Sequence, residues 1–352
     1  MAFKGGLQEL ASKHRRILVF GAGGGGDALG TVHLYLRLRD MGAEPVIGAI
    51  AWERHPIDPY PGPIPIEAMV EIEPLGYSAA IVTGKSYALR WGHEVKPQIA
   101  RVAEALGVEA VFLDASKGAW GISQGLREAA EALGVEAVIA LDTGGDMLAA
   151  GCEDELWSPL ADAISLAGTI DSGLPAIVAI HAPGADGELP AEKVLEYISI
   201  LASRRALLET TGLRLIDAEY ISKIMDKVHS EASKIPVRAM LGEYGTITIR
   251  QGTRKVHVSP LQTATFLLDA EKVYEWSPTA RQVQGTRGIG AASQLLNRLC
   301  IVTELDLENE LNRLRGRTSS QPVPLEELRR TLRRKLITQG CQPPPCPTRR
   351  QY

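Results

Sequence analysis

Six short apolar runs, almost unbroken by polar residues, recur through the first half of the chain. They are RILVF (16–20), PVIGAIA (45–51), AAIVTG (79–84), EAVFLDA (109–115), EAVIALD (136–142) and PAIVAIHA (175–182). A strand with one wet face alternates in character, whereas a strand covered on both faces does not. Between the runs lie stretches with helical spacing: ALGTVHLYLRLRDMG (28–42), VKPQIARVAEALG (95–107) and SQGLREAAEALG (123–134). Each closes on a glycine, the residue best suited to the left-handed turn that ends a helix. Strand, helix and strand in repetition predict an α/β fold built on a doubly wound, mostly parallel, Rossmann-like sheet.

The pattern changes after about residue 185. Residues 190–212 and 217–234 read as two amphipathic helices, and GTITIRQGTRKVHVS (245–259) as a hairpin turning at Gln251-Gly252. ATFLLDA (264–270) is a further strand candidate, and GTRGIGAASQLLNRL (285–299) a glycine-rich turn entering a helix. Three parts are therefore expected. Residues 10–185 form a Rossmann-like domain with a glycine-rich ligand loop, and residues 186–318 a C-terminal α+β extension that could equally prolong the main sheet. Residues 319–352 form a basic helix with a disordered, proline-rich end.

Composition excludes several classes. With 45% hydrophobic and 23% charged residues the chain has the makeup of a soluble globular protein. It holds no apolar run of the roughly 18–20 residues that a membrane helix needs. The N-terminus has no apolar signal core, which reads as cytoplasmic. A net charge of −4 argues against nucleic acid as a partner. The tail is the exception: Arg329, Arg330, Arg333, Arg334, Lys335, Arg349 and Arg350 outweigh Glu326 and Glu327, which reads as a solvated helix packed by its leucine stripe with a loose end, the alternative being a basic docking arm for RNA or an acidic partner. Cys152, Cys300, Cys341 and Cys346 are too few and too scattered to suggest a disulfide framework or a zinc site. Asparagine occurs only at 297, 309 and 312, a hint of a thermophile.

Chemistry concentrates at the ends of the apolar runs. GAGGGGDALG (21–30) follows the first run, with Gly21, Gly23 and Gly26 in G-x-G-x-x-G spacing and Gly24 and Gly25 between them. Such a loop lets backbone amides approach an anion. Asp27, however, would repel a phosphate unless a cation intervened. The acid that holds a ribose in dinucleotide sites is not cleanly present; Glu53 lies 27 residues after Gly26. ALDTGGDML (140–148) repeats the theme, with Asp142 ending its run, Gly144 and Gly145 turning, and Asp146 following. Asp27, Asp142 and Asp146 together could hold Mg²⁺ or ribose hydroxyls; the alternative is two helix caps and a buried turn acid. Other run ends carry Glu53, His55, Lys85, Asp114, Lys117 and His181. Lys85 could pair with a phosphate or be a solvated lysine. His181 could act as a general acid or base or be a capped loop histidine. HPIDPYPGPIPIE (55–67), with five prolines, suits a semi-rigid lid or rim. No nucleophile elbow, Walker lysine or H-E-x-x-H motif occurs.

FGAGGGGDALG, ERHPIDPYPGPI, LDTGGD and VQGTRGIGAASQLL together resemble a family of archaeal and bacterial proteins known as domain of unknown function 1152, over roughly residues 10–315. The resemblance implies a shared fold and a shared glycine-rich site, and brings no catalytic assignment with it. The residues point to an enzyme, a transferase or hydrolase, binding a nucleotide-like or phosphorylated small molecule, with Mg²⁺ or a nucleotide as candidate cofactor. In that reading Asp142, Asp146 and His181 serve catalysis, Asp27, Asp142 and Asp146 the metal, and Lys85 the phosphate. The alternatives are an NAD- or FAD-dependent oxidoreductase and a non-catalytic nucleotide-binding or ribosome-associated factor. Homo-oligomerisation is compatible with either.

Overall fold

The computed structural model describes residues 5–55, 57–154, 156–250, 252–315 and 324–347. In chain order the strands are β1 (Arg16–Gly21), β2 (Glu44–Ile50), β3 (Met69–Pro74), β4 (Ala79–Arg90), β5 (His93–Val95) and β6 (Ala110–Leu113). They continue as β7 (Ala137–Thr143), β8 (Ala176–His181), β9 (Leu207–Gly212), β10 (Gly245–Ile249), β11 (Arg254–Val258) and β12 (Ala264–Asp269). The helices are α1 (Leu7–Lys13), α2 (Asp27–Gly30), α3 (Val32–Asp40), α4 (Gln98–Leu106), α5 (Gly118–Leu133), α6 (Pro159–Ser172) and α7 (Ala191–Ser203). After them come α8 (Leu215–Ser222), α9 (Ile235–Met240), α10 (Ala270–Trp276), α11 (Pro278–Val283), α12 (Ile289–Asn297), α13 (Glu304–Arg315) and α14 (Leu325–Thr338).

Ten strands form one mixed sheet in the order β3-β4-β6-β2-β1-β7-β8-β12-β9, with β5 on β4. The central five, β6, β2, β1, β7 and β8, are parallel, which is why their sequences are apolar throughout. Both faces are covered. Leu18 and Phe20 of β1 are buried on the side of α5, α6 and α7, and Ile17 and Val19 on the side of α1 and α3. The chain leaves β1 towards β2 on one side and later places β7 on the other. The carboxyl ends of β1 and β7 thus flank the point where strand order reverses, where open α/β sheets bind ligands.

Several expectations need correction. The run 79–84 is not a parallel strand: β4 lies antiparallel to β6 and continues into a ribbon with β3 and β5. Val82 pairs with Ala110, the first residue of β6, so the chain has passed the amino end of β6 before it reaches the exposed Lys85. Lys85 therefore lies at the edge of the sheet opposite the carboxyl ends. Residues 190–212 are one helix and then β9, not one long helix. β9 and β12 join the main sheet, which runs across the 185/186 boundary. α6 has no counterpart in the sequence reading because it is buried on nearly all sides, and a helix without a polar face shows no 3.6-residue period.

The C-terminal arm departs furthest. Cys152 is bonded to Cys346 and Cys300 to Cys341, so residues 341–346 are stapled to the body rather than disordered. Disulfides persist in oxidising compartments and inside hyperthermophiles, so the cysteines no longer support a reducing cytoplasm. Residues 348–352 lie outside the described residues. The basic helix α14 packs Leu328 against Val302 and Leu307, and its Arg329 and Arg333 bind Asp154. No helix among the described residues is long and apolar enough to cross a membrane.

Candidate functional site

β1 and β7 are hydrogen-bonded neighbours, so the loops that follow them, residues 21–27 and 142–148, lie side by side. Asp142, next to last in β7, lies on the face covered by α6; α6 brings Asp162 to the same place, and the loop after β8 brings Asp186 and Glu188. The result is two overlapping groups of buried carboxylates: Asp142, Asp146 and Asp162, and Asp146, Asp186 and Glu188. Within each group the candidate ligand oxygens lie within 4.8 Å of one another. Both carboxylate oxygens of Asp162, and both of Asp186, are buried without a hydrogen-bond partner among the described residues. Native interiors rarely tolerate that unless something else supplies the missing contact.

The glycines make room for the acids. A Cβ at Gly23 would stand 2.7 Å from Asp27 Oδ2 and 2.8 Å from Asp162 Oδ1. Gly144, at φ +123°, leaves the space that Asp186 occupies, and Gly25 the space of Glu53. Gly21 admits the backbone of Asp27 and Ala28. Gly145, at φ +101°, lies against Val194 and Ile180. Gly24 is different, since a Cβ there would meet nothing nearer than Arg54 at 3.8 Å. Asp27 does not cap a helix. Its Oδ2 accepts the Gly23 N–H at 2.8 Å and closes the glycine turn on itself, while the Gly25 N–H donates to Trp52 O. The amides of Gly23 and Gly25 are thus already in use, which leaves Gly24 and Gly26 for any approaching anion.

The electrostatics follow from crowding. Burial pushes the Asp27 carboxyl up to about 8, with neighbouring Asp142 adding to the rise and the Gly23 N–H opposing it. Burial raises Asp142 to about 6 against the pull of the Met147 N–H. Asp146, Asp162 and Asp186 are raised well above the ordinary carboxylate range by burial first and then by neighbouring carboxylates, Asp162 in the case of Asp146, Asp142 in that of Asp162 and Glu188 in that of Asp186. Glu188 runs the other way. Burial acts to raise it, but Arg254, 3.0 Å away, and the Ser158 hydroxyl and amide hold it down at about 2. Glu188 also accepts the amides of Trp157 and Ser158 just before α6, and Glu304 those of Leu160 and Ala161 in its first turn.

Other predicted residues go elsewhere. His181 faces away from Asp142. Its ring stacks on His33 of α3, centroids 4.1 Å apart, and its Nδ1 lies 2.8 Å from Thr265 Oγ1. His33 Nδ1 lies 2.7 Å from the Gly30 carbonyl, and its Nε2 3.0 Å from the same Thr265 hydroxyl. A carbonyl only accepts, so the neutral His33 donates from Nδ1 and accepts at Nε2. Thr265 then donates to His33 and accepts from His181. Burial holds His33 down at about 4, and burial with the His33 neighbour holds His181 well below its usual value. Glu53 accepts the Gln98 N–H at the start of α4. Asp114 accepts the amides of Ile66 and Ser116, and Lys117 bridges Glu67 and Asp114. His55 is exposed in the loop after β2. The proline-rich loop is pinned: Arg90 binds Asp58 and the Pro61 and Gly62 carbonyls, and Glu308 accepts the Gly62 N–H.

Asp162, Asp186 and Glu188 escaped the sequence reading. The signals were an aspartate inside the apolar stretch SPLADAISLAG and a third glycine-and-acid loop, GADGE, after a buried strand. No curated protein and no solved structure matches the chain. The chain belongs to the family described as Protein of unknown function (DUF1152), whose model matches residues 18–312.

Proposed function

We propose that the chain is an enzyme that binds a phosphorylated or nucleotide-like small molecule through divalent cation held at the carboxyl ends of β1, β7 and β8, on a Rossmann-like core. The observation that carries this reading is the pair of buried aspartates, Asp162 and Asp186, whose oxygens lack partners while other carboxylates crowd them. Like charges about 4 Å apart repel by about 4 kcal/mol at an effective dielectric of 20. A hard cation with oxygen ligands reverses the sign of every one of those interactions. Asp27, beside Asp162 across Gly23, orders the glycine turn whose Gly24 face stays open to a ligand. Transfer or hydrolysis of a phosphoryl group is the chemistry such a floor serves. The dinucleotide reading is weaker, because Glu53, the nearest acid to a ribose-binding position, is used by α4.

The test is thermal melting with Mg²⁺ or Mn²⁺ against EDTA, followed by a screen of phosphate monoesters and nucleotides. A metal-dependent rise in Tm and metal-dependent turnover that Asp142→Asn abolishes are expected. Equal melting with and without metal, and turnover indifferent to EDTA, would remove the reading.

A further inference from the structure

Asp146 belongs to both carboxylate groups, and the third and fourth acids of the cluster sit on opposite sides of it in the chain's architecture. Asp142 and Asp162 come from β7 and α6, while Asp186 and Glu188 come from the loop after β8. Each side has its own unpartnered carboxylate, Asp162 on one and Asp186 on the other, both nine-tenths or more buried. A single cation placed among Asp142, Asp146 and Asp162 would leave the two oxygens of Asp186 as they are.

We infer that the site holds two divalent cations bridged by the Asp146 carboxylate, one with Asp142 and Asp162 and the other with Asp186 and Glu188. This rests on the divalent-cation reading above and goes beyond it in number and in the role of Asp146. Paired ions in such sites stand about 3.5–4 Å apart, a span that one bridging carboxylate covers. The chemical class such a pair takes is a phosphate or phosphate ester, with one oxygen on each ion. Arg254 binds Glu188 Oε1 at 3.0 Å and packs over Trp157, which is in turn packed by Arg329 of the disulfide-bound arm.

Mn²⁺ binding to the full chain, followed by calorimetry and electron paramagnetic resonance, tests this. Two ions per chain with an exchange-coupled spectrum are expected. Asp162→Asn and Asp186→Asn should each reduce the count from two to one and abolish the coupling, and Asp146→Asn should abolish the coupling as well. Thermal melts in EDTA establish that each variant is folded; if Asp146→Asn is not, the parent and the two flanking variants decide. One ion per chain, or two without coupling, overturns the bridged pair and leaves the divalent-cation reading standing. No binding overturns both.

Discussion

The two faces of the sheet near its carboxyl edge both bury polar groups, and they treat them in opposite ways. On the α3 side, His33, Thr265 and His181 form a closed chain of hydrogen bonds in which every donor named finds an acceptor and the rings stay neutral. On the α6 side, the carboxylate oxygens of Asp162 and Asp186 are equally buried without a hydrogen-bond partner among the described residues, and other acids crowd them, with Arg254 the nearby cation at Asp186. The first arrangement is self-sufficient, and its histidines need no ligand to account for them. The second leaves buried carboxylate oxygens with no hydrogen-bond partner among the described residues. Burial of a titratable group is therefore a poor sign of function here, whereas burial without satisfaction is a good one. Cavity size is poorer still. A cavity of about 450 Å³ lies at the amino edge, where Arg16 and Glu44 on its wall already pair with each other.

The contrast can be broken most decisively with metal. At a free Mn²⁺ concentration about 1,000 times its dissociation constant, each ion bound only by the folded state adds about 4 kcal/mol. The effect should grow with pH, and the sign can be worked out. Asp27 and Asp142 have folded values of about 8 and about 6, above their ordinary 3.8, so the folded metal-free protein binds more protons than the unfolded chain between those limits. Metal-free stability must then fall as pH rises from about 4 to about 8. Metal competes with those protons, so its affinity should rise roughly tenfold or more between pH 6 and pH 8. Melting curves in Mn²⁺ and in EDTA across that range would check both slopes. A metal-induced shift in Tm that does not change with pH would mean these acids are not the ligands.

On the α3 side, Thr265→Val should cost about 3 kcal/mol, because it strands two buried ring nitrogens. Urea denaturation should return the same loss with and without metal. A metal-dependent loss would show that the two faces are coupled, and the contrast drawn above would fail. The corresponding change among the acids carries the opposite sign: in EDTA at the alkaline end of that pH range, Asp162→Asn should stabilise the protein by about 1–2 kcal/mol, since it removes a buried carboxyl whose ionised form is crowded by other acids. Destabilisation in EDTA would mean that Asp162 has a structural partner. The smallest effect on stability is expected at Gly24→Ala, no more than about 1 kcal/mol in either direction, because its Cβ has space. If the open glycine face admits the phosphate, this variant should still weaken binding of a phosphate ester, read by calorimetry in Mn²⁺. Gly25→Ala lacks that clarity, because its Cβ would collide with Glu53.

The covered strands were legible in the sequence because burial on both faces writes an unbroken apolar run, a purely local signal. β1, β2, β6, β7 and β8 are all found where such runs stand. Glycine loops next to acids at strand ends were legible for the same reason, and they marked Asp27, Asp142 and Asp146. Strand direction was not, since an apolar run reads alike in either sense; β4 runs antiparallel to β6, which carries Lys85 to the edge opposite the carboxyl ends. Nor was side-chain face. Thr143 and His181 are paired in register and share one side of the sheet, while Asp142, one residue away, lies on the other. That single step of the pleat separates a histidine in a closed hydrogen-bond chain from an aspartate that joins the crowded carboxylates. Asp162, Asp186 and the two disulfides join residues far apart in the chain, from Cys152 to Cys346 in the longest case. Such pairings are set by packing across the sheet, and no local pattern of residues records them.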